Sequence, residues 1–191
     1  MSILGALMGF SLFLSPTALS FGSFSAPKSV APVASVAPSY TVALTAYNAV
    51  PEQTDSNPLE TASGAYSNPE IIMARSVDLA DALPFGTIVE LDGSHITSGD
   101  ACGYDLVAPH LGYRVIEDSM NAKFMKRVDV LLDTNLTYTS PNGRVRGAAD
   151  VLGICQGVTI RVVGFVDINH LPKTQAELAQ LVAKGSALAL K

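Results

Sequence analysis

The sequence predicts a mainly β protein: a small closed barrel with short helices and a helix near its C-terminal end. Three observations carry that expectation. Short β-branched runs bounded by Gly, Pro, Asn or Asp recur from residue 41 to residue 166. No long helical period interrupts them, and closing such a set of strands into a barrel hides its edges. The chain has 191 residues, 48% hydrophobic and 15% charged, which suffices for one real core and argues against disorder.

The elements follow in order. The first 27 residues carry no charged side chain. Their run SILGALMGFSLFLS has the length of a signal-peptide apolar core, although no Lys or Arg precedes it. Ala18, Leu19 and Ser20 offer small residues for cleavage after Ser20. The same stretch nearly suffices to span a bilayer. Residues 1–24 are therefore expected to be a signal peptide or an uncleaved membrane anchor. Either one places the folded part outside the cytoplasm, secreted or attached to the cell envelope, with membrane contact only through that segment. Residues 25–39, rich in Ala, Pro, Ser and Val, read as an extended linker.

The folded domain is expected over residues 40–168. Its strands are TVALTAY (41–47), TIVEL (87–91), GYRVIED (112–118), RVDVLLD (127–133) and VTIRVVGFV (158–166). Short helices fit SVDLADAL (76–83) and ADVLGI (149–154). Two loops, 92–112 and 134–148, are long and full of turn residues, as the walls of binding sites often are. Residues 169–191 form a helical tail: Thr174 and Glu177 make a capping-box pattern, Leu178, Leu181 and Val182 share a face, and Gly185 stops the helix.

Composition excludes some functions. A net charge of −5 leaves no broad basic surface to neutralise phosphates, so nucleic acid is not an expected partner. No period of 20–50 residues marks a solenoid. His95, His110 and His170 lie far apart, and no Cys/His spacing suggests zinc. Cys102 and Cys155 are compatible with a disulfide after export, or with two separate thiols, Cys155 packing as a small hydrophobe.

Chemistry concentrates in Glu117–Asp133, EDSMNAKFMKRVDVLLD. In a strand, Val128, Val130 and Leu132 make a core face, and Asp129, Leu131 and Asp133 point the other way. Asp118 closes the preceding strand. If residues 121–126 connect the two, Asp118 and Asp129 face each other across neighbouring strands. Such acids also cap turns, and Asp133-Thr134-Asn135 has the pattern of a turn start. A carboxylate metal site is a further reading, although the acids do not follow a calcium-loop spacing.

This stretch resembles the signature of the 3D domain, a family named for three aspartates: one, a second about eleven residues on, and a third four further. LTAYNAV is similar to the family's Thr-Ala-Tyr strand, and TASG (61–64) to its Thr-x-Ser-Gly turn. DLADALPFGTIVEL is similar to the segment with an Asp, a Pro-x-Gly-Thr turn and a strand. ADVLGICQGVTIRVV resembles the closing helical turn and last strand. Together these pieces cover roughly residues 41–166 in order.

The resemblance implies a six-stranded double-psi β-barrel and, as in the several members that are lytic transglycosylases, cleavage of the MurNAc–GlcNAc bond of peptidoglycan. It implies Asp129 as the catalytic acid/base, with Asp118 and Asp133 as companions. Thr45, Tyr47, Thr61 and Ser63 fall on positions that shape or support the substrate groove, and Asp78 on a further acid that some members use at the substrate. The expected partner is the peptidoglycan glycan strand. One carboxylic acid of raised pKa suffices to donate a proton and then accept one, so neither cofactor nor metal is expected. Burial of Asp129 and the nearby charges of Asp118 and Asp133 are the forces expected to raise it.

The family's Thr-Gly-Gly-Ala turn is here Ser119-Met120-Asn121-Ala122. Glycines permit positive φ and close backbone approach to a ligand, so their replacement implies a different loop, with Asn121 the residue best able to turn left-handed. That change keeps open a non-catalytic peptidoglycan-binding or structural module. Lys123, Lys126 and Arg127 are either a solvated basic loop or, with Lys123 foremost, a site for substrate carboxylates.

Overall fold

The computed structural model describes residues 37–54, 57–97 and 102–185. The expected signal or anchor over 1–24, and the linker up to residue 36, lie outside the described residues. Among the described residues no helix is long and apolar enough to cross a membrane.

Six strands close into a barrel: β1 (Ser39–Tyr47), β2 (Ile72–Arg75), β3 (Thr87–Asp92), β4 (Tyr113–Ser119), β5 (Arg127–Leu131) and, last in the chain, Cys155–Phe165. A separate hairpin, β6 (Thr137–Thr139) and β7 (Val145–Gly147), precedes that last strand, which is therefore β8. The order around the barrel is β1-β5-β2-β4-β3-β8, closing on β1. The β1–β5 and β2–β4 pairs are parallel and the others antiparallel, an arrangement consistent with a double-psi barrel. The expected mainly β barrel with short helices and a C-terminal helix is thus the fold.

Alternation along each strand fills the interior. Val128 and Val130 of β5 are fully buried, together with Leu44, Met73, Val89, Ile116, Val158 and Ile160. Complete burial of such a side chain stabilises the fold by roughly 1.5–3 kcal/mol. A second apolar cluster joins Tyr47, Ile72, Ile88, Val115 and Leu131 to Leu178. Leu178 belongs to the terminal helix Gln175–Ala183, which comes third in the chain after α1 (Tyr104–Val107) and α2 (Ala148–Leu152) and is therefore α3. Its start is capped from both sides: the Thr174 hydroxyl accepts from the Glu177 amide at 3.2 Å, and the Glu177 carboxylate accepts from the Lys173 amide at 2.6 Å. The tail thus packs on the barrel.

Several elements depart from the sequence reading. The helix expected over 76–83 is a single 3-10 turn at Val77–Leu79, because Pro84 disfavours helical backbone at Leu83. β2 was not anticipated. β5 ends at Leu131, so Leu132 and Asp133 lie beyond it. The loop 134–148 is largely the β6–β7 hairpin, and 92–112 carries α1 and a 3-10 turn at Ala108–His110. Cys102 and Cys155 form a disulfide, with Cα atoms 5.1 Å apart, which settles the two alternatives.

Candidate functional site

Asp129 sits on β5 between two neighbours. In register it faces Thr45 on β1 and Ala74 on β2. Ala74 faces Asp118 of β4 on its other side. The two acids are therefore not on neighbouring strands, as the sequence suggested; β2 lies between them. At about 4.8 Å per strand, their Cα atoms stand roughly 10 Å apart across the Ala74 methyl. A hollow of about 490 Å³ lies over this row, lined by Asp118, Asp129, Tyr47 and Ala74, and walled by Met120, Asn121 and Phe124 and by residues between 53 and 67.

A bulge aims Asp118 into the hollow. The β2–β4 register slips between Met73 and Ala74, so Glu117 is the extra residue and Asp118 pairs with Ala74. The Asp118 carboxylate accepts three hydrogen bonds: from the Ala62 amide at 3.0 Å, the Ser119 amide at 2.8 Å and the Tyr47 hydroxyl at 2.7 Å. Burial, then the Asp118 charge, raises the Tyr47 phenol above its ordinary range, so it stays protonated and donates.

Asp129 is the chemically unusual group. Burial pushes its carboxyl up to about 6. The Thr45 hydroxyl and the Arg127 charge pull it down, and the Asp118 charge pushes it further up. Its Oδ1 is buried without a hydrogen-bond partner. A carboxyl in that state is able to hold a proton near neutral pH and to give it up to a substrate oxygen.

The remaining expected residues divide. Thr45 reaches the β5 backbone, its hydroxyl donating to the Val128 carbonyl at 3.4 Å. Thr61 and Ser63 build the turn that presents the Ala62 amide, their hydroxyls 3.1 Å apart. Asp78 accepts from the Lys126 amide at 3.0 and 3.2 Å and so anchors the start of β5 outside the hollow. The Ser76 hydroxyl holds its carboxyl below the usual range. Lys123 is exposed, its Nζ 4.9 Å from the Phe124 ring centroid.

Asp133 does not join the cluster. It lies exposed past the end of β5, where its Oδ1 accepts from the Asn135 amide at 2.9 Å, the turn its sequence context suggested. It lines a different hollow, beside His110 and Gln175, and it is not among the charges acting on Asp129. Nor, among the described residues, do loops 92–112 and 134–148 wall the Asp118–Asp129 hollow. Asn121, though able to turn left-handed, does not: among the described residues the non-glycine with positive φ is Lys126, at 48°.

Three residues escaped the sequence reading. Ala74 had no signal beyond being small in an apolar run. Phe124 and Glu117 lie inside the stretch that drew attention to the acids. The Arg127 guanidinium stacks 4.8 Å from the Phe124 ring centroid, placing a cation beside the Phe124 wall of the hollow.

Among the described residues no group of three or more His, Cys, Asp or Glu side chains is placed to hold a metal ion. The chain matches no protein-family model and no curated protein.

Proposed function

We propose that this chain is an exported cell-wall enzyme that cleaves the MurNAc–GlcNAc bond of peptidoglycan by lytic transglycosylation. The observation that carries the reading is Asp129: a buried carboxyl raised to about 6 at the floor of a hollow large enough for part of a sugar strand. Its proton goes to the glycosidic oxygen as the C1–O bond breaks. The muramyl C6 hydroxyl then closes onto C1, and Asp129 takes the proton released, leaving a 1,6-anhydro ring. No water is consumed and the acid is regenerated. Asp118, held by three donors, keeps a negative charge beside the developing positive charge at C1. The disulfide supports the exported, extracytoplasmic location, since such bonds persist in oxidising compartments.

A second reading has its own observation. Met120 and Asn121 project side chains into the wall of the hollow, where glycines would leave bare backbone for a ligand. That favours a module that binds glycan strands, or serves a structural part in the wall, without cutting them. The carboxylate metal-site reading has no geometric support among the described residues.

Incubating the protein with purified peptidoglycan separates the two. Mass spectrometry is expected to find anhydromuropeptides with the wild type and at least ~10²-fold fewer with Asp129→Asn. Sedimentation with the glycan and no new chain ends would instead establish the binder. Full lytic activity in Asp129→Asn would remove Asp129 from the mechanism.

A further inference from the structure

Phe124 brings two cations to the wall of the Asp118–Asp129 hollow. Asn121 builds the turn that presents the ring: its carbonyl accepts from the Phe124 amide at 3.0 Å, and its Oδ1 accepts from the Lys123 amide at 3.1 Å. The Lys123 Nζ then stands 4.9 Å from the ring centroid and the Arg127 guanidinium 4.8 Å from it. Arg127 also shares a face of β5 with Asp129, two residues further on. Its charge is felt at the Asp129 carboxyl, which it lowers.

Neither cation has a counter-ion. Among the described residues the ion pairs are Arg161 with Glu90 and His170 with Asp167. Arg127 differs in this respect from Arg75 and Arg114, whose Nε atoms donate to the Leu83 carbonyl at 2.8 Å and the Leu111 carbonyl at 2.5 Å. The Arg127 Nε is buried and finds no acceptor. No described residue accepts from its terminal nitrogens either, and those are not shut off from solvent. An arginine that was merely solvated would keep water on every donor. This one has lost water at Nε without gaining a partner, and a carboxylate on the same fork offsets that cost. The hollow is bipolar as a result. Glu60, Asp118 and Asp129 line it as acids, whereas its Phe124 wall carries the two unpaired cations. An anionic substituent on a ligand is repelled by the first set and held by the second, so charge alone fixes which way round the ligand lies.

We propose that Arg127, oriented by the Phe124 ring and assisted by Lys123, is a carboxylate-binding subsite that selects muramyl units bearing a free carboxylate and sets their direction across the hollow. The ring holds the guanidinium plane in place, so little side-chain freedom remains to be lost on binding. This rests on the reading of the hollow as a glycan site, but binding, not cleavage, tests it.

The test is an NMR titration of the full chain with three ligands, none of which contains a MurNAc–GlcNAc bond. They are the disaccharide GlcNAc–MurNAc, its lactyl methyl ester, and the same disaccharide carrying an L-Ala-D-Glu dipeptide in place of the free lactyl group. At low salt at least one of the two acids is expected to bind at least ~10-fold more tightly than the ester. Which acid does so tells a lactyl from a peptide carboxylate. Rising salt should narrow the gap. Arg127→Gln should bring the ratio close to one, and Lys123→Gln should reduce it less. Equal affinity for acids and ester in the wild type overturns the proposal, as does a ratio unchanged in Arg127→Gln. If Arg127→Gln does not fold, the wild-type Arg127 Nε–H signal decides: the preferred acid should move it and the ester should not, and the reverse overturns the subsite. Failure of all three ligands to bind removes the glycan reading together with this one. A clear acid preference without anhydromuropeptide production would count against the enzymatic reading alone.

Discussion

Asp129 illustrates how a single side chain trades stability for chemistry. An unfolded aspartate ionises near 3.8, whereas the folded one is raised to about 6. Between those values the native state holds more protons than the unfolded chain, so stability falls as pH rises through that window and stays reduced above it. Asp129→Asn removes the charge and keeps the shape. The variant should therefore be more stable than the wild type at pH 7, by on the order of 2–3 kcal/mol, with the advantage vanishing below about pH 4. Urea unfolding of both proteins at the two pH values measures it, and a gap independent of pH would mean that Asp129 is not buried as a charge. The proposed cleavage should follow pH in the same direction, since the acid must be protonated: kcat/KM should decline about tenfold per pH unit above about 6.

At the level of elements, the β4–β5 connection carries a local cost. Lys126 has φ 48°, a region that disfavours a side chain by about 1–2 kcal/mol, and it is held there from two sides. Asp78 takes its amide, and its carbonyl accepts from the Ala43 amide at 2.9 Å. Lys126→Gly should relieve the strain, lose part of the gain to unfolded-state entropy, and stabilise the protein by a net of about 0.5–1 kcal/mol. The readout is a higher urea midpoint at unchanged slope; Lys126→Val should move the midpoint down. Which elements were legible follows from the same local physics. β1, β3, β4, β5 and β8 are long enough for β-branched patterning to show, and the outward face of Asp129 followed from alternation alone. β2 is four residues, all buried, with no alternation to read, yet it is the strand that separates Asp118 from Asp129. Strand order is a long-range property, so the sequence placed the two acids one strand too close. Asp133 was misplaced for a different reason: alternation was extended two residues past Leu131, where β5 stops and the turn begins. Glu117 stayed hidden because the bulge that buries it exists only in the pairing with β2.

For the molecule as a whole, closure and covalent linkage act on different parts. The barrel leaves none of its six strands with an open edge, so its stability rests on core packing around Val128, Val130 and Ile160. The connection between β3 and β4 joins that core through Val107 and Leu111. It is also held by the Cys102–Cys155 bond, by the Gly103 amide donating to the Leu152 carbonyl at 3.0 Å, and by contact of α1 with α2. The bond joins positions 53 residues apart, and linking so long a loop stabilises by roughly 3–4 kcal/mol on the chain-entropy account. Replacing both cysteines by Ala, which leaves no reactive thiol, should therefore lower the unfolding free energy by about that amount. Because no described residue between Gly93 and Gly112 lines the Asp118–Asp129 hollow, the same variant should keep the Asp129 titration near about 6. Urea unfolding combined with carboxyl NMR tests both halves at once. A stable variant with a displaced Asp129 would mean that the bond acts on the hollow through β8 and β1 rather than on the connection, reversing the division of labour argued here.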